Sequence, residues 1–151
     1  MQALTLHAPW AWAVMHGGKD IENRSWAPPN HMLGQRIAIH AGMASLAEER
    51  EDLVRICSNV PDEFMRGAIL GTVQVVGYVD EQDVGLMWNG ERIEKLRSHE
   101  PAESVWFGGP VGWLLRDPKP LERPIPQRGA LGLWQVKEPV LSELLKATQA
   151  A

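Results

Sequence analysis

The stretch GAILGTVQVVGYVD, residues 67–80, is the strongest strand signal in the chain and decides the predicted fold. It is rich in β-branched residues, and its long apolar character predicts a strand that is buried on both faces. Its glycines are expected where the strand bends or where another backbone approaches closely. This segment is therefore expected to be the central strand of the fold.

Shorter patterns predict further strands and helices around this central strand. The predicted strands are LTLH (4–7), RIAIHAG (36–42), VGWLLRDP (111–118) and LWQV (133–136), and residues 20–26 can be extended. The predicted helices are AWAVMHGG (11–18), which follows Pro9, and LAEEREDLVRICSN (46–59), with Ser45 as its N-cap and Glu48 completing a capping box. The apolar side of the second helix would consist of Leu46, Leu53, Val54, Ile56 and Cys57.

Three segments carry weaker signals. The strand 111–118 is expected to end in a turn, and the prolines of residues 121–136 favour an edge or a loop over a central strand. Residues 84–103 are polar and charged, and they are expected to form a short helix or an inserted loop. Several short strands with two or three helices favour an α+β fold, a small open barrel with flanking helices, and the lack of regular helical crossovers argues against a doubly wound parallel sheet.

Length and composition indicate one globular domain, because the chain has 151 residues of which 44% are hydrophobic. No apolar run reaches the roughly 18 residues that a membrane span needs. No secretory signal is evident, so a cytoplasmic protein without membrane contact is expected. The single cysteine, Cys57, excludes an internal disulfide and a cysteine-based zinc cluster, and its place in a helical pattern predicts a core residue.

The charge of the chain is spread unevenly. The net charge is −4, but residues 44–103 hold six basic and thirteen acidic side chains. A protein that binds duplex phosphates regardless of sequence usually has an excess of basic residues, and this chain has none. Any nucleic-acid contact is therefore expected to be local. The acidic middle segment also permits a different interpretation, a protein-interaction module that recruits a basic partner through residues 80–103.

Residues 17–26, GGKDIENRSW, place charges, an amide and a tryptophan directly after a glycine turn. Lys19 could bind phosphate, or act as a base if burial lowers its pKa. Glu22 or Asn23 could hydrogen-bond the edge of a nucleobase. The alternative is a structural salt bridge between Glu22 and Arg24. In a regular strand, alternation would put Lys19 on the face of Asn23, opposite Glu22, so Lys19 and Glu22 can meet only if the glycine turn or a bulge breaks the alternation.

Aromatic and basic residues elsewhere extend this candidate site. Trp10 offers a flat face on which a base could stack, while packing is the favoured role for Trp12 and Trp26. Arg116 and Arg128 lie in a basic stretch that is either a phosphate-positioning rim or a solvated loop. His7 and His40 lack an apparent third ligand, and no phosphate-loop or dinucleotide motif occurs. Neither a metal site nor a cofactor is predicted.

The segments LTLHAPWAWAVMHGGKDIENRSW, RIAIHA, GAILGTVQVVGYV, GPVGWLLRDP and GALGLWQV, in this order, resemble the ASCH domain family. The resemblance covers nearly the whole chain. It implies an ASCH domain over residues 1–137, followed by a C-terminal helix or tail over residues 138–151. It also implies a fold like the pseudouridine synthase and archaeosine transglycosylase (PUA) domain, a small mixed β-barrel with flanking helices and a groove.

The resemblance further implies binding of single-stranded RNA or DNA, or of a nucleoside. The ligand-binding residues would be Trp10, Lys19, Glu22, Asn23, Arg24, Arg116 and Arg128. The alternative is a small hydrolase, a ribonuclease or an amidohydrolase, with Lys19 and Glu22 as its catalytic residues. One branch of the family deacetylates N4-acetylcytidine with a lysine that matches Lys19, a threonine at the position of Glu22, and a later glutamate. Glu81 and Asp83 are positional candidates for that last residue.

Overall fold

The computed structural model of the chain describes residues 1–149, and it contains three α-helices and eight strands in that part. The strands are β1 (Gln2–Leu6), β2 (Ile21–Arg24), β3 (Arg36–Ala41), β4 (Ala68–Asp80), β5 (Leu86–Trp88), β6 (Ile93–Lys95), β7 (Val111–Pro126) and β8 (Leu133–Gln135). The helices are α1 (Ala8–His16), α2 (Ala47–Ile56) and α3 (Val140–Gln149), and short 3₁₀ helices span Asn30–Met32 and Glu100–Glu103. This mixture confirms the predicted α+β class.

The chain forms two compact units. The first unit contains Met1–Gly18, Ile37–Val73 and the described residues from Pro118 onward, and the second contains Lys19–Arg36 and Gln74–Asp117. The long strands β4 and β7 contribute residues to both. No helix in residues 1–149 is both long enough and apolar enough to cross a membrane.

In the first unit, β1 lies between β3 and β8. It is parallel to β3, with Thr5 opposite His40, and antiparallel to β8, with Ala3 opposite Trp134. Buried side chains from β1, β3, β4, β7 and α3, with one residue just after β8, form its core: Ala3, Ala38, Ile69, Ile125, Leu144 and Val136. Helix α3 joins this core because Leu141 and Leu144 are three residues apart and therefore share one helical face. The division of the chain at residue 137 stays a prediction, and Ala150 and Ala151 lie outside the described residues.

In the second unit, β2 is antiparallel to β7, with Ile21 opposite Leu114. The hairpin of β5 and β6 adds to β4, with Gly77 opposite Met87. A Cβ atom at Gly77 would collide with the carbonyl oxygen of Leu86, so this glycine permits the close approach that the sequence predicts. Ten of the thirteen residues of β4 are buried, which confirms the prediction for the central strand.

Helix α2 is shorter than predicted, because it begins one residue later than residue 46 and ends three residues before residue 59. The helix begins at Ala47 after the N-cap Leu46, and the Glu49 carboxylate accepts a hydrogen bond of 2.9 Å from the Leu46 N–H. The predicted capping box of Ser45 and Glu48 is wrong because Glu49 occupies the N3 position. The predicted apolar side is also wrong. Leu53 is the buried residue of the helix, whereas Leu46, Val54 and Ile56 are exposed and Cys57 is half-buried just after its end.

Two further segments correct the sequence-based expectations. Residues 84–103 form the β5–β6 hairpin and a 3₁₀ helix, where a short helix or a loop was expected. Strand β7 continues to Pro126 past Asp117, whose backbone is left-handed (φ 53°) at the predicted turn. The prolines are tolerated there because β2 pairs only with Val111–Leu114, so they lie beyond the end of that neighbour.

His40 is a buried polar residue at the centre of a hydrogen-bond chain in the first unit, with 1% of its surface exposed. Its Nε2 lies 2.6 Å from the Gln127 carbonyl oxygen, which can only accept, so Nε2 carries the proton. Nδ1 then accepts from the Thr5 hydroxyl at 3.2 Å, and Thr5 in turn accepts from the Trp134 indole N–H at 3.0 Å. The chain therefore stabilises a neutral imidazole, and burial lowers the pKa of His40 from its ordinary 6.5.

Acid is expected to destabilise the protein partly through His40. Below pH 6.5 His40 becomes protonated in the unfolded chain but stays neutral in the folded chain, where its pKa is lower. The unfolded state therefore binds more protons. The stabilisation is full above that pH and is lost as the pH falls toward the lowered pKa. Urea unfolding at about pH 7.5 and about pH 5 should show a smaller acid-induced loss for His40→Gln than for the wild type. An equal acid-induced loss of stability in both proteins would show that His40 does not contribute to the pH dependence.

Candidate functional site

Lys19 lies just before β2, and its side chain turns toward the strand. The Nζ atom is 3.1 Å from Glu22 Oε1 and also donates to the carbonyl oxygen of Ile21. Strict alternation would separate Lys19 from Glu22, but the regular strand begins only at Ile21, so the alternation does not extend to Lys19. Both side chains are buried, with residue exposures of 6% for Lys19 and 8% for Glu22.

Arg24 completes an ion-pair cluster with Lys19 and Glu22. Glu22 and Arg24 are two residues apart on β2 and therefore share a face of the strand. The second carboxylate oxygen of Glu22, Oε2, lies 3.2 Å from the Arg24 guanidinium. Glu22 thus neutralises one of two cations, and the ion-pair cluster keeps a net positive charge.

Burial dominates the acid–base behaviour of Lys19. Removal of water lowers the pKa of its ammonium group from the ordinary 10.5, because the charged form loses hydration. Glu22 and Asp20 oppose this effect by stabilising the positive charge, and Arg24 adds to it. The amine is therefore easier to deprotonate than an exposed lysine.

The segment Ser104–Gly109, called here the Trp106 loop, is fastened to β2 by Asn23. The Asn23 Nδ2 donates to the Trp106 carbonyl oxygen at 2.9 Å. Its Oδ1 accepts from the N–H groups of Gly108 and Gly109 at 2.8 and 3.2 Å. The Ser104 hydroxyl adds a bond of 3.4 Å to the Asp20 carboxylate. These bonds set the position of the loop beside the ion-pair cluster.

Trp106 brings an aromatic ring to the buried lysine. The Lys19 Nζ lies 6.0 Å from the centre of the Trp106 ring, at the outer limit of a cation–π contact. The indole is half-buried and packs against the apolar cluster of Ile21, Val76, Val79 and Leu114. The second unit therefore combines a desolvated cation, a carboxylate, a guanidinium and an aromatic ring at one place.

A model of the ASCH domain matches residues 4–138 of the chain, almost its whole length. The chain belongs to the ASCH domain family. A search of curated proteins gave no match. Among solved structures, the crystal structure of ASCH from Zymomonas mobilis superposes with a TM-score of 0.54 at 19% identity, covering 96% of this chain and 93% of that one.

Two variants of the same bacterial protein give similar results at 19% identity. A tyrosine-to-phenylalanine variant has a TM-score of 0.53 and covers 96% of each chain. A serine-to-alanine variant has a TM-score of 0.51 and covers 96% of this chain and 94% of that one. At this identity the likeness shows a shared fold only. The family match confirms the predicted ASCH domain, and the shared fold agrees with the predicted PUA-like architecture.

The predicted site residues of this ASCH domain fall in both units. Lys19, Glu22, Asn23 and Arg24 lie together in the second unit, where Asn23 is engaged with the backbone of the Trp106 loop. Arg116 is an exposed residue of β7 in the same unit. Trp10, half-buried in α1, and Arg128, exposed after β7, belong to the first unit. Their roles in ligand binding stay predictions.

Trp26 has a structural role in the second unit. Its ring meets Trp113 edge-on, with centres 5.0 Å apart and planes at 84°. Its carbonyl oxygen accepts a hydrogen bond of 2.9 Å from the Trp113 indole N–H. Trp113 is completely buried, so this bond satisfies a donor that would otherwise be lost in the core.

Sequence reasoning missed the Trp106 loop. The loop is more than eighty residues from Asn23 along the chain, so no local pattern connects them. The available signal is the run VWFGGP, residues 105–110, which combines two aromatic residues with two glycines, as residues 17–26 combine two glycines with Trp26. Among residues 1–149, no group of three or more His, Cys, Asp or Glu side chains is placed to hold a metal ion.

Proposed function

We propose that this ASCH domain binds single-stranded RNA, or a nucleotide with a modified base, at the ion-pair cluster and the Trp106 loop. The observation that carries the proposal is the buried Lys19 ammonium, which lies 3.1 Å from the Glu22 carboxylate and 6.0 Å from the centre of the Trp106 ring. A structural salt bridge needs neither the aromatic neighbour nor a second cation. Membership of the ASCH domain family supports a nucleic-acid ligand.

The charges of the cluster are suited to a small number of phosphate contacts. Lys19 and Arg24 supply two positive charges and Glu22 one negative charge, so the trio keeps one net positive charge. In a site with little water, that charge attracts a phosphate more strongly than it would on an open surface. The whole chain has a net charge of −4, so we expect recognition at one place and no general attraction to duplex phosphates.

Lys19→Met tests the proposal. The variant keeps the apolar stem but removes the charge, so the affinity for a short fluorescein-labelled single-stranded RNA should fall roughly tenfold. Fluorescence anisotropy at one fixed salt concentration measures this change. Lys137→Met, an exposed lysine of the first unit, removes the same charge elsewhere and should bind like the wild type. Equal affinity of Lys19→Met and the wild type would contradict the proposal.

The alternative function, a small hydrolase, is favoured by one specific feature. The Lys19 amine has a lowered pKa and lies within hydrogen-bond distance of the Glu22 carboxylate. A neutral amine in this setting can accept a proton from water that attacks an acyl carbon. Hydrolysis of N4-acetylcytidine would then give cytidine and acetate, with the proton returned to the leaving amine.

The two functions are separated by product analysis. The protein and its Lys19→Ala variant are incubated with N4-acetylcytidine and with a short RNA, and the products are followed by mass spectrometry. Deacetylation or cleavage by the wild type that is lost in the variant would establish the hydrolase. Intact substrates together with measurable RNA affinity would support the binding domain.

A further inference from the structure

A cavity of about 850 Å³ lies in the second unit beside the ion-pair cluster. Apolar side chains line it, including Ile21, Val76, Met87 and Leu114 from the strands and Leu96 just after β6. The same residues belong to or pack against the apolar cluster of this unit. Lys19, Glu22 and Arg24 do not line it, so the cavity is a separate feature of the second unit. Its volume is in the range of pockets that bind small molecules.

Trp88 gives the cavity a rigid aromatic wall. Its indole packs against Gly34, where a Cβ atom would lie only 2.8 Å from the ring. Gly34 also has a left-handed backbone (φ 90°), and its carbonyl oxygen accepts a bond of 3.0 Å from Gln74. The tryptophan thus rests on a backbone segment that leaves no room for a side chain. A ring fixed in this way is suited to stacking with a flat ligand.

The polar residues of the cavity leave positive charge available. Arg116 and Lys95 line it, and within residues 1–149 neither side chain has a hydrogen bond or an ion pair. Two of the carboxylates there already have partners, since Glu94 pairs with Arg92 at 2.7 Å and Asp20 accepts from Ser104. A third lining carboxylate, Glu100, is exposed like Lys95 and Arg116, and its single negative charge leaves these two cations in excess. The uncommitted groups therefore favour an anion.

We propose that this cavity is a second nucleotide subsite, in which a nucleobase lies against Trp88 and Met87 and its phosphate contacts Arg116 and Lys95. The choice of a nucleotide as ligand rests on the function proposed above. Ser104 lines the cavity and belongs to the Trp106 loop, and Asp20 lines it next to Lys19 in the chain. The neighbouring nucleotide of the strand that contacts the ion-pair cluster could therefore occupy this cavity.

The experiment uses the full chain labelled with ¹⁵N and titrated with cytidine monophosphate, cytidine or inorganic phosphate. Cytidine monophosphate should shift the Trp88 indole signal and the backbone amides of Met87, Leu96 and Arg116. Cytidine should bind roughly tenfold more weakly than its monophosphate because it lacks the charged group. Equal affinity for cytidine and its monophosphate, or the same shifts with phosphate alone, would overturn the proposal.

Arg116→Gln supplies the matched variant. It should weaken binding of cytidine monophosphate roughly tenfold. Arg123→Gln removes the same charge from an exposed position of the same strand that does not line the cavity, so it should bind like the wild type. Equal binding by Arg116→Gln and the wild type, or an absence of shifts at the cavity, would overturn the proposal.

Failure of this inference is distinguishable from failure of the proposed function. If the cavity amides do not shift while Lys19→Met still loses RNA affinity, the second subsite is wrong and the proposed function stands. If the cavity amides shift in an Arg116-dependent way while Lys19→Met binds RNA normally, the second subsite stands and the role of the ion-pair cluster is wrong.

Discussion

Glu22→Ala is expected to lower the free energy of unfolding by about 3 kcal/mol, because it leaves buried positive charges without their anion. Lys19 and Arg24 both pair with this carboxylate, at 3.1 and 3.2 Å. Their side chains are 4% and 22% exposed, so water can replace the lost partner only in part. Urea unfolding at about pH 7 measures the change, and a result within about 0.5 kcal/mol of the wild type would contradict it.

A matched control separates this effect from the mere loss of a carboxylate. Glu122 is an exposed residue of β7, and Glu122→Ala should change stability by less than about 0.5 kcal/mol. Lys19→Met should also be milder than Glu22→Ala, since Glu22 keeps Arg24 as a partner and the buried stem keeps its packing.

The loss of unfolding free energy in Glu22→Ala should become smaller as the pH rises. Burial lowers the pKa of Lys19 below 10.5, and the loss of Glu22 removes the largest opposing effect. As the pH rises through this lowered pKa, Lys19 becomes neutral and its repulsion of Arg24 disappears. The unfolded chain still binds that proton up to about pH 10.5, so relative stability recovers as the pH increases.

Trp106→Leu is expected to weaken RNA binding roughly 5- to 150-fold, which corresponds to the loss of one base stack. The leucine preserves apolar packing against the cluster around Ile21 but presents no flat face to a base. Fluorescence anisotropy with the same single-stranded RNA measures the change.

Trp26→Leu is the matched aromatic control for Trp106→Leu. Trp26 lies in the same unit and is 37% exposed, but its ring contacts Trp113. The variant should therefore lose stability and keep most of its RNA affinity. An unchanged affinity for Trp106→Leu, or an equal loss for both variants, would show that Trp106 is not the stacking residue.

The central strand could be predicted from sequence because apolar character and β-branching act locally. Residues 68–80 form β4 as the pattern indicated. The N-terminus of α2 was harder, because Glu48 and Glu49 are adjacent and either could complete a capping box. In the structure it is the Glu49 carboxylate that accepts the hydrogen bond from the Leu46 N–H.

Of the candidate site, only the part within residues 17–26 could be predicted from the sequence. The contact between Lys19 and Glu22 spans three residues, so the sequence raised it as a possibility. The Trp106 loop depends on bonds from Asn23 across more than eighty residues, and no local periodicity encodes these. The strands of the β5–β6 hairpin have only three residues each. Strand β5 is held by pairing with the distant residues Gly77 and Tyr78 of β4, and β6 pairs with β5. The polar and charged residues around these short strands therefore masked any strand signal.

RNA binding at the ion-pair cluster and the Trp106 loop can be tested by an NMR titration of the ¹⁵N-labelled wild-type protein with a short single-stranded RNA. We expect the largest shifts on residues 19–24 and on the Trp106 loop, which contain the ion-pair cluster and the ring beside it. An absence of shifts at saturating RNA, or shifts confined to other parts of the chain, would overturn the proposed function.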